Sequence, residues 1–269
     1  MIYEYRSLTI RPVNLGSLPM YLELFKASFP NYKTSLEYLD WLYFQNPNGS
    51  AVGYDAYDGQ ALIAHYACVP IWIDVYEKPS LLALNTATHP KYQGRGLLKI
   101  LANNTYEECE DGFACVVGVA NAQAIKPLTK HLGFEHIGDL DLRFGVLDLS
   151  RQGRRIYTEQ ETFWRARCPG KSLRTKFYVG GFVRFTRRLF GILPITAVSP
   201  VREQDPSTSH FNKILKKFGF TLDWRRNQKP KFFLPRRLKP SPLSFVFRPL
   251  SESDSTRLEA WTFPDFDAL

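Results

Sequence analysis

"THPKYQGRGLLKIL", residues 88 to 101, follows the run "LLALNTA" and leads into an apolar segment. A strand-like run ends, a His-Pro turn follows, Gly94, Arg95 and Gly96 fill a loop, and Leu97, Leu98 and Leu101 open a helix-like pattern. Such an arrangement makes an anion site. The first N–H groups of a helix have no internal acceptor, and the helix dipole puts partial positive charge there. Gly94 and Gly96 let the main chain approach a phosphate without a Cβ in the way. Arg95 adds either a charged contact or a solvent-facing side chain. A dinucleotide-binding fold asks for G-x-G-x-x-G beside its first strand, whereas this loop lacks the third glycine and lies mid-domain.

The flanking sequence supplies the rest of a sheet. "LTIRPV" reads as a strand, "LGSLPMYLELFKASF" as a helix, and "SLEYLDWLYFQNP" as a second helix ending at Pro47. "AVGYDAYD", "QALIAHYACVPIWI" and "SLLALNTATH" read as strands, with Asp58-Gly59 as a hairpin turn between the first two. After the loop, "LLKILANNTYEECED" is a helix stopped by Gly112, and "FACVVGVAN" is a strand covered on both faces. "AQAIKPLTKHL" is a helix closed by Gly133, and "FEHIGDLDLRFGVLDL" returns as strands. The fold class is α/β: a mixed, mostly antiparallel sheet with helices on both faces, plus a smaller divergent α/β C-terminal domain.

Three segments are expected: a domain over 1–150, a basic connector over 151–208, and a reduced or accessory substrate domain over 209–269. Within the connector, "SLRTKFYVGGFVRFTRRLFGILPI" reads as helical or loop-like, or as a basic aromatic segment for a membrane surface, and "SPVREQDPSTS" as a linker. An echo links the ends: "YLDWLYFQNP" at 38–47 and "TLDWRRNQKP" at 221–230 share Leu-Asp-Trp and a later Pro, and "FNKILKKFGF" resembles "PLTKHLGF". The C-terminal part reads as a divergent copy that lacks the glycine loop.

The chain has 269 residues, 44% of them hydrophobic, enough for a sizeable core. Residues 151–269 hold 24 Lys/Arg against 10 Asp/Glu, a net +14, whereas residues 1–150 hold 11 against 16, a net −5. The basic half favours an anionic partner such as a phosphorylated substrate, nucleic acid or lipid, or is a solvated surface. Cys68, Cys109, Cys115 and Cys168 show no C-x-x-C spacing, so reduced, packed thiols and no metal site are expected. No secretory signal or continuous apolar span is visible, which points to the cytoplasm.

"TATHPKYQGRGLLKIL" resembles motif A of the GNAT acyl-coenzyme A-dependent N-acetyltransferases, whose loop runs Gln/Arg-x-x-Gly-x-Gly/Ala. Gln93 and Gly96 match, and Leu98 stands where Gly or Ala is usual. "VVGVANAQAIKPLTKHLGF" is similar to the family's next strand and helix, and the resemblance covers roughly residues 5 to 150. The "LDW…NP" segment and the C-terminal extension look closest to bacterial members found near surface-polysaccharide genes. The resemblance implies acetyl-CoA as acyl donor and two adjacent strands that part to admit its pantetheine arm. Backbone groups at Thr86, Ala87 and Thr88 would meet pantetheine or the thioester carbonyl. Gln93, Gly94, Arg95, Gly96, Leu97 and Leu98 would hold the pyrophosphate. Asn121 would face the pantetheine arm, or cap a helix.

The acceptor implied is a primary amine, with an amino sugar or nucleotide-linked amino sugar favoured. A protein or peptide amine, or a non-catalytic CoA-binding module, are the alternatives. His65 suits proton removal near neutral pH, or is a satisfied core histidine. Asn85 can orient substrate, and Thr86 can polarise the carbonyl. The position where many members carry an acidic Tyr holds Thr129, leaving Tyr106 or a water as substitute. His89 reads as a turn residue, Asp265 and Asp267 as a solvated tail or a return to the cleft, and Trp41 and Trp224 as core anchors.

Overall fold

The computed structural model describes residues 8–29, 33–146, 154–170, 173–178, 182–189, 192–202, 218–225, 243–251 and 258–262. β1 (Leu8–Pro12) leads to α1 (Leu18–Ser28), which carries a proline in its first turn, where a missing N–H costs nothing. α2 (Leu36–Tyr43) is capped by Ser35, whose Oγ accepts the Tyr38 N–H at 3.2 Å. Both helices turn apolar residues inward at helical spacing: Tyr21, Leu24 and Phe25, then Leu39, Leu42 and Tyr43. β2 (Val52–Asp58) and β3 (Ala61–Ile73) form the expected hairpin, with Gly59 at φ +60° in the turn. β4 (Ser80–Thr88), α3 (Leu97–Cys109), β5 (Cys115–Ala120), α4 (Ile125–His131), β6 (Glu135–Asp139) and β7 (Asp141–Val146) follow.

The reading of the connector as helical or loop-like is corrected. After β8 (Arg155–Ile156) and α5 (Glu159–Ala166), the chain forms β9 (Arg174–Tyr178), β10 (Phe182–Leu189) and β11 (Leu193–Pro200). Along β10, Val183 and Phe185 are buried while Arg184 is half-buried and Arg188 exposed. That is strand alternation with arginines on the polar positions, which a count of cations hides. β12 (Phe218–Arg225), β13 (Ser244–Pro249) and β14 (Ala260–Thr262) complete the chain.

Two sheets result. The first runs β1-β2-β3-β4-β5-β13-β6, with β8 against the far end of β3; the second runs β14-β12-β11-β10-β9, with β7 also on β12. The boundaries at 150 and 208 cut across both. β13, from the second half of the sequence, lies antiparallel between β5 and β6, and β7, from the first half, lies antiparallel on β12. In the first sheet four antiparallel strands, and in the second three, are followed by a parallel neighbour and then by a strand borrowed from the other half. One core runs from α1 and α2 over the first sheet to the Tyr157, Val183, Phe185 and Trp261 side of the second. A separate cluster packs α3 on the opposite face of the first sheet. β5 is buried on both faces, as its unbroken apolar run predicts. All four cysteines are free, and burial pushes the Cys68 thiol up to about 12 and the Cys109 thiol to about 11.

A local two-fold relates α2 to α5. Thr158 caps α5 as Ser35 caps α2, its Oγ1 accepting the Glu161 N–H at 3.0 Å. Six residues beyond each cap stands a tryptophan. Trp41 and Trp164 stack at 4.1 Å with an interplanar angle of 12°. Trp41 Nε1 donates to the Trp164 carbonyl at 3.0 Å, and Trp164 Nε1 donates to the Trp41 carbonyl at 3.1 Å. The two helices share a cap and a tryptophan spacing, and the Leu-Asp-Trp echo does not mark this likeness: residues 39–41 lie on α2, whereas 222–224 lie on β12. "FNKILKKF" falls outside the described residues except for Phe218 at the start of β12.

Replacing either tryptophan by alanine removes a buried ring and strands one carbonyl. Trp41→Ala and Trp164→Ala are each expected to cost about 3–5 kcal/mol in urea denaturation. The double variant should lose clearly less than the sum of the two, because the rings contact each other.

Candidate active site

β4 and β5 pair over only three positions, Leu81 with Val116, Leu82 with Val117 and Ala83 with Gly118. Beyond Ala83 the strands part. β5 continues straight, because Val119 and Ala120 pair with Phe245 and Ser244 of β13. β4 bends instead. His65 pairs with Ala87 and Ala67 with Leu84, so Asn85 and Thr86 both stand opposite Tyr66. This bulge sharpens the local twist and carries β4 away from its neighbour. Asn85 takes φ +50°, the sole non-glycine residue with positive φ among those described, and Asn tolerates that conformation better than other side chains. Its Nδ2 is buried without a hydrogen-bond partner. Ala87 is buried beside His65, and the Thr88 carbonyl accepts from Ser28 Oγ at 3.3 Å and Gln93 Nε2 at 3.2 Å.

The glycine loop closes the wide end of this wedge. His89 N–H donates to the Ile63 carbonyl at 2.8 Å, and His89 Nδ1 accepts the Lys91 N–H at 3.3 Å, a turn role. Tyr92 donates its hydroxyl to Asp58 at 2.7 Å, tying the loop to the β2 end. Arg95 folds back over the Tyr92 ring at 4.7 Å and donates Nη2 to the Lys91 carbonyl at 3.2 Å. Gly94 and Gly96 both sit at φ +76°, and Gly96 is the N-cap of α3 with no side-chain hydrogen bond to the first turn. A Cβ at either glycine would meet no protein atom within 4 Å. The glycines thus answer to backbone conformation and to open space in front of the helix end, as a bound diphosphate requires. Leu97 is buried under the helix and Leu98 half-buried, so these two contribute main chain to that space.

His65 lies in a buried network. Its Nδ1–H donates to Asp55 Oδ1 at 2.6 Å, which leaves Nε2 to accept the Tyr43 hydroxyl at 2.9 Å. Asp55 Oδ2 also accepts the Tyr21 hydroxyl at 2.7 Å. Burial, then the Asp55 charge, pushes the Tyr21 hydroxyl far above its ordinary range, so it remains a neutral donor. His65 is 1% exposed and Tyr43 0%. Both rings are closed to solvent, and each polar atom of the His65 ring has a buried partner. Sequence reasoning missed Asp55, Tyr43 and Tyr21. The Asp58-Gly59 turn held a signal for Asp55, since a tight hairpin there places it across from His65 once the bulge after Ala56 is allowed.

Other candidates are used elsewhere. Tyr106 hydrogen-bonds the Tyr66 hydroxyl at 2.7 Å under the Arg248 guanidinium. It lies ten residues into α3, about 15 Å from the glycine loop at helical rise. Its hydroxyl is engaged by Tyr66 within the cluster beneath α3. Thr129 donates Oγ1 to the Ile125 carbonyl at 2.9 Å within its own helix. Asn121 Oδ1 accepts the Gln123 and Ala124 N–H groups at 3.0 and 2.9 Å, so it is a cap, and only its NH2 is left to meet a ligand. Trp41 and Trp224 are buried. Asp265 and Asp267 lie outside the described residues. Among the described residues no helix is long and apolar enough to cross a membrane.

Residues 18–134 match the family model described as Acetyltransferase (GNAT) family. Among curated proteins no sequence matches. Among solved structures, a conserved Enterococcus faecalis protein of unknown function, assigned as an N-acyltransferase, is 10% identical over 90% of this chain and 73% of that one, with a TM-score of 0.56. A Pyrococcus horikoshii protein assigned to the acetyltransferases is 10% identical over 96% of this chain and 95% of that one, with a TM-score of 0.51. These two share the fold of both halves. The Escherichia coli ribosomal-protein-S18-alanine N-acetyltransferase covers 51% of this chain and 81% of its own, at 17% identity and a TM-score of 0.40. The wedge and glycine loop fall inside the segment that matches this family model, and the chain is an acyltransferase dependent on acetyl-CoA.

Proposed function

We propose that the protein transfers the acetyl group of acetyl-CoA to the primary amine of an amino sugar, a nucleotide-linked one being favoured. The observation that carries the donor side is the bulge at Asn85 and Thr86, which parts β4 from β5 and leaves Asn85 Nδ2 buried without a hydrogen-bond partner. Main-chain N–H groups from Gln93 to Leu98 hold the pyrophosphate, and the pantetheine arm lies along Thr86, Ala87 and Thr88, with the Asn121 NH2 donating to it. Asn85 Nδ2 and the Thr86 main chain stabilise the oxygen that becomes negative when the amine adds to the thioester. The cationic second half, net +14, supports a phosphorylated acceptor.

An ammonium has no lone pair, so a proton must leave before attack. Opening of the α1–α2 face over the Tyr43 hydroxyl, which is closed to solvent in this structure, would let it take that proton while passing its own to His65 Nε2, with Asp55 stabilising the imidazolium. The tetrahedral adduct then collapses with loss of the CoA sulfur as thiolate, and the second proton on the adduct nitrogen passes to that sulfur through water, leaving the neutral amide and CoA thiol. A thiol of pKa about 8.5 leaves without strong acid help, which fits the engaged Thr129.

A panel of nucleotide-linked amino sugars, free amino sugars and peptide amines, followed by CoA thiol release, tests the acceptor. The nucleotide-linked amine should show the highest kcat/KM; a clear preference for peptide amines would refute the sugar assignment. Gly96→Ala forces an L side chain into φ +76° and puts a methyl where phosphate sits. KM for acetyl-CoA should rise about ten-fold or more, with a smaller change in kcat. Tyr43→Phe and His65→Gln should lower kcat at neutral pH by about a hundred-fold. The deficit should shrink as pH rises toward the amine's own pKa, because free amine then needs no base. An undiminished loss at high pH would show that the network only supports the core.

A further inference from the structure

We infer that the β9–β10–β11 end of the second sheet docks the protein on an anionic lipid bilayer. From Thr162 to Arg202 the sequence has no Asp or Glu and nine Lys or Arg. The strand register sorts part of this charge onto one face. Val183 and Phe185 of β10 point into the core, so Arg184 and Arg188 occupy the opposite face. On β9, Lys176 stands directly opposite Arg184, and Arg174 directly opposite Thr186, which puts both on the same face. Arg174, Lys176 and Arg188 are exposed, and Arg184 is half-buried. Arg187 points the other way; burial lowers its pKa, and it sits near Tyr38 and Cys168.

The adjoining end of the strand pair selects the kind of surface. Leu189 and Leu193 pair one residue beyond Arg188 and Pro194, and Ile192 beside them is 83% exposed. Arg184 and Arg188 are four residues apart on one strand, about 13 Å, so the cationic face and the apolar tip are contiguous. Phosphate groups of nucleic acid satisfy the cations but have no use for a protruding isoleucine. An anionic bilayer satisfies both, with headgroups against the cations and the acyl boundary receiving the tip. The segment reaches the membrane as a twisted β-ribbon and not as an amphipathic helix. This inference does not rest on the donor site, since the wedge and glycine loop lie on the other sheet.

Flotation of the full chain with phosphatidylcholine vesicles, with and without phosphatidylglycerol, tests it. The protein should float only with phosphatidylglycerol, and raised salt should release it. Arg174→Gln combined with Lys176→Gln should weaken binding by about 20-fold. Ile192→Asp should weaken it independently, and all three substitutions should leave acetyl transfer to a soluble amine unchanged. Absence of flotation with phosphatidylglycerol, or full retention by the charge and tip variants, would overturn the proposal. Tighter binding to duplex DNA than to vesicles would reassign the face to nucleic acid.

Discussion

Parallel strands β4 and β5 hold together for three residue pairs and then separate, and the site depends on that separation. Main-chain donors and acceptors left without a ladder must find other partners, and a ligand inserted between the strands can supply them. Two opposed constraints open the gap. The bulge at Asn85 and Thr86 bends β4 outward, while β13 keeps β5 straight through Ala120. The donor site therefore depends on a strand that arrives more than 120 residues after β5 in the chain.

The exchange of β7 and β13 makes the two halves one cooperative unit. Each half surrenders a strand to the other sheet, so neither sheet closes its ladder alone. The Trp41–Trp164 pair seals the same relation between the helices, since each indole satisfies a carbonyl of the other helix while covering its ring. A fold built this way tolerates divergence in its second half. There the glycine loop has no counterpart, yet the strand order persists because the first half needs β13.

Burying Asp55 and His65 together costs desolvation that their contact must offset. Asp55 is satisfied by His65 and Tyr21, and His65 by Asp55 and Tyr43, so no charge is left bare. Removing one member would leave its partner buried without compensation, which ties the network to the integrity of the α1–α2 face as well as to proton transfer.

Much of the first sheet was legible in residue order. The Asp58-Gly59 hairpin, the doubly covered β5 and the glycine loop before α3 follow from spacing over a few residues, and turn chemistry and periodicity act at that range. The β9–β11 strands were obscured because arginine occupied the polar positions, and the Leu-Asp-Trp echo misled because three shared residues carry no backbone conformation. The sequence by itself determined the strands and helices of the first half, which family the loop resembles, and that the second half is cationic. Only the tertiary structure decided that β7 and β13 change sheets, that His65 finds Asp55 and Tyr43, and that Tyr106 pairs with Tyr66. Strand partners and buried hydrogen bonds are chosen by whichever distant surface best covers an apolar face and satisfies its polar groups, and no local pattern records that choice.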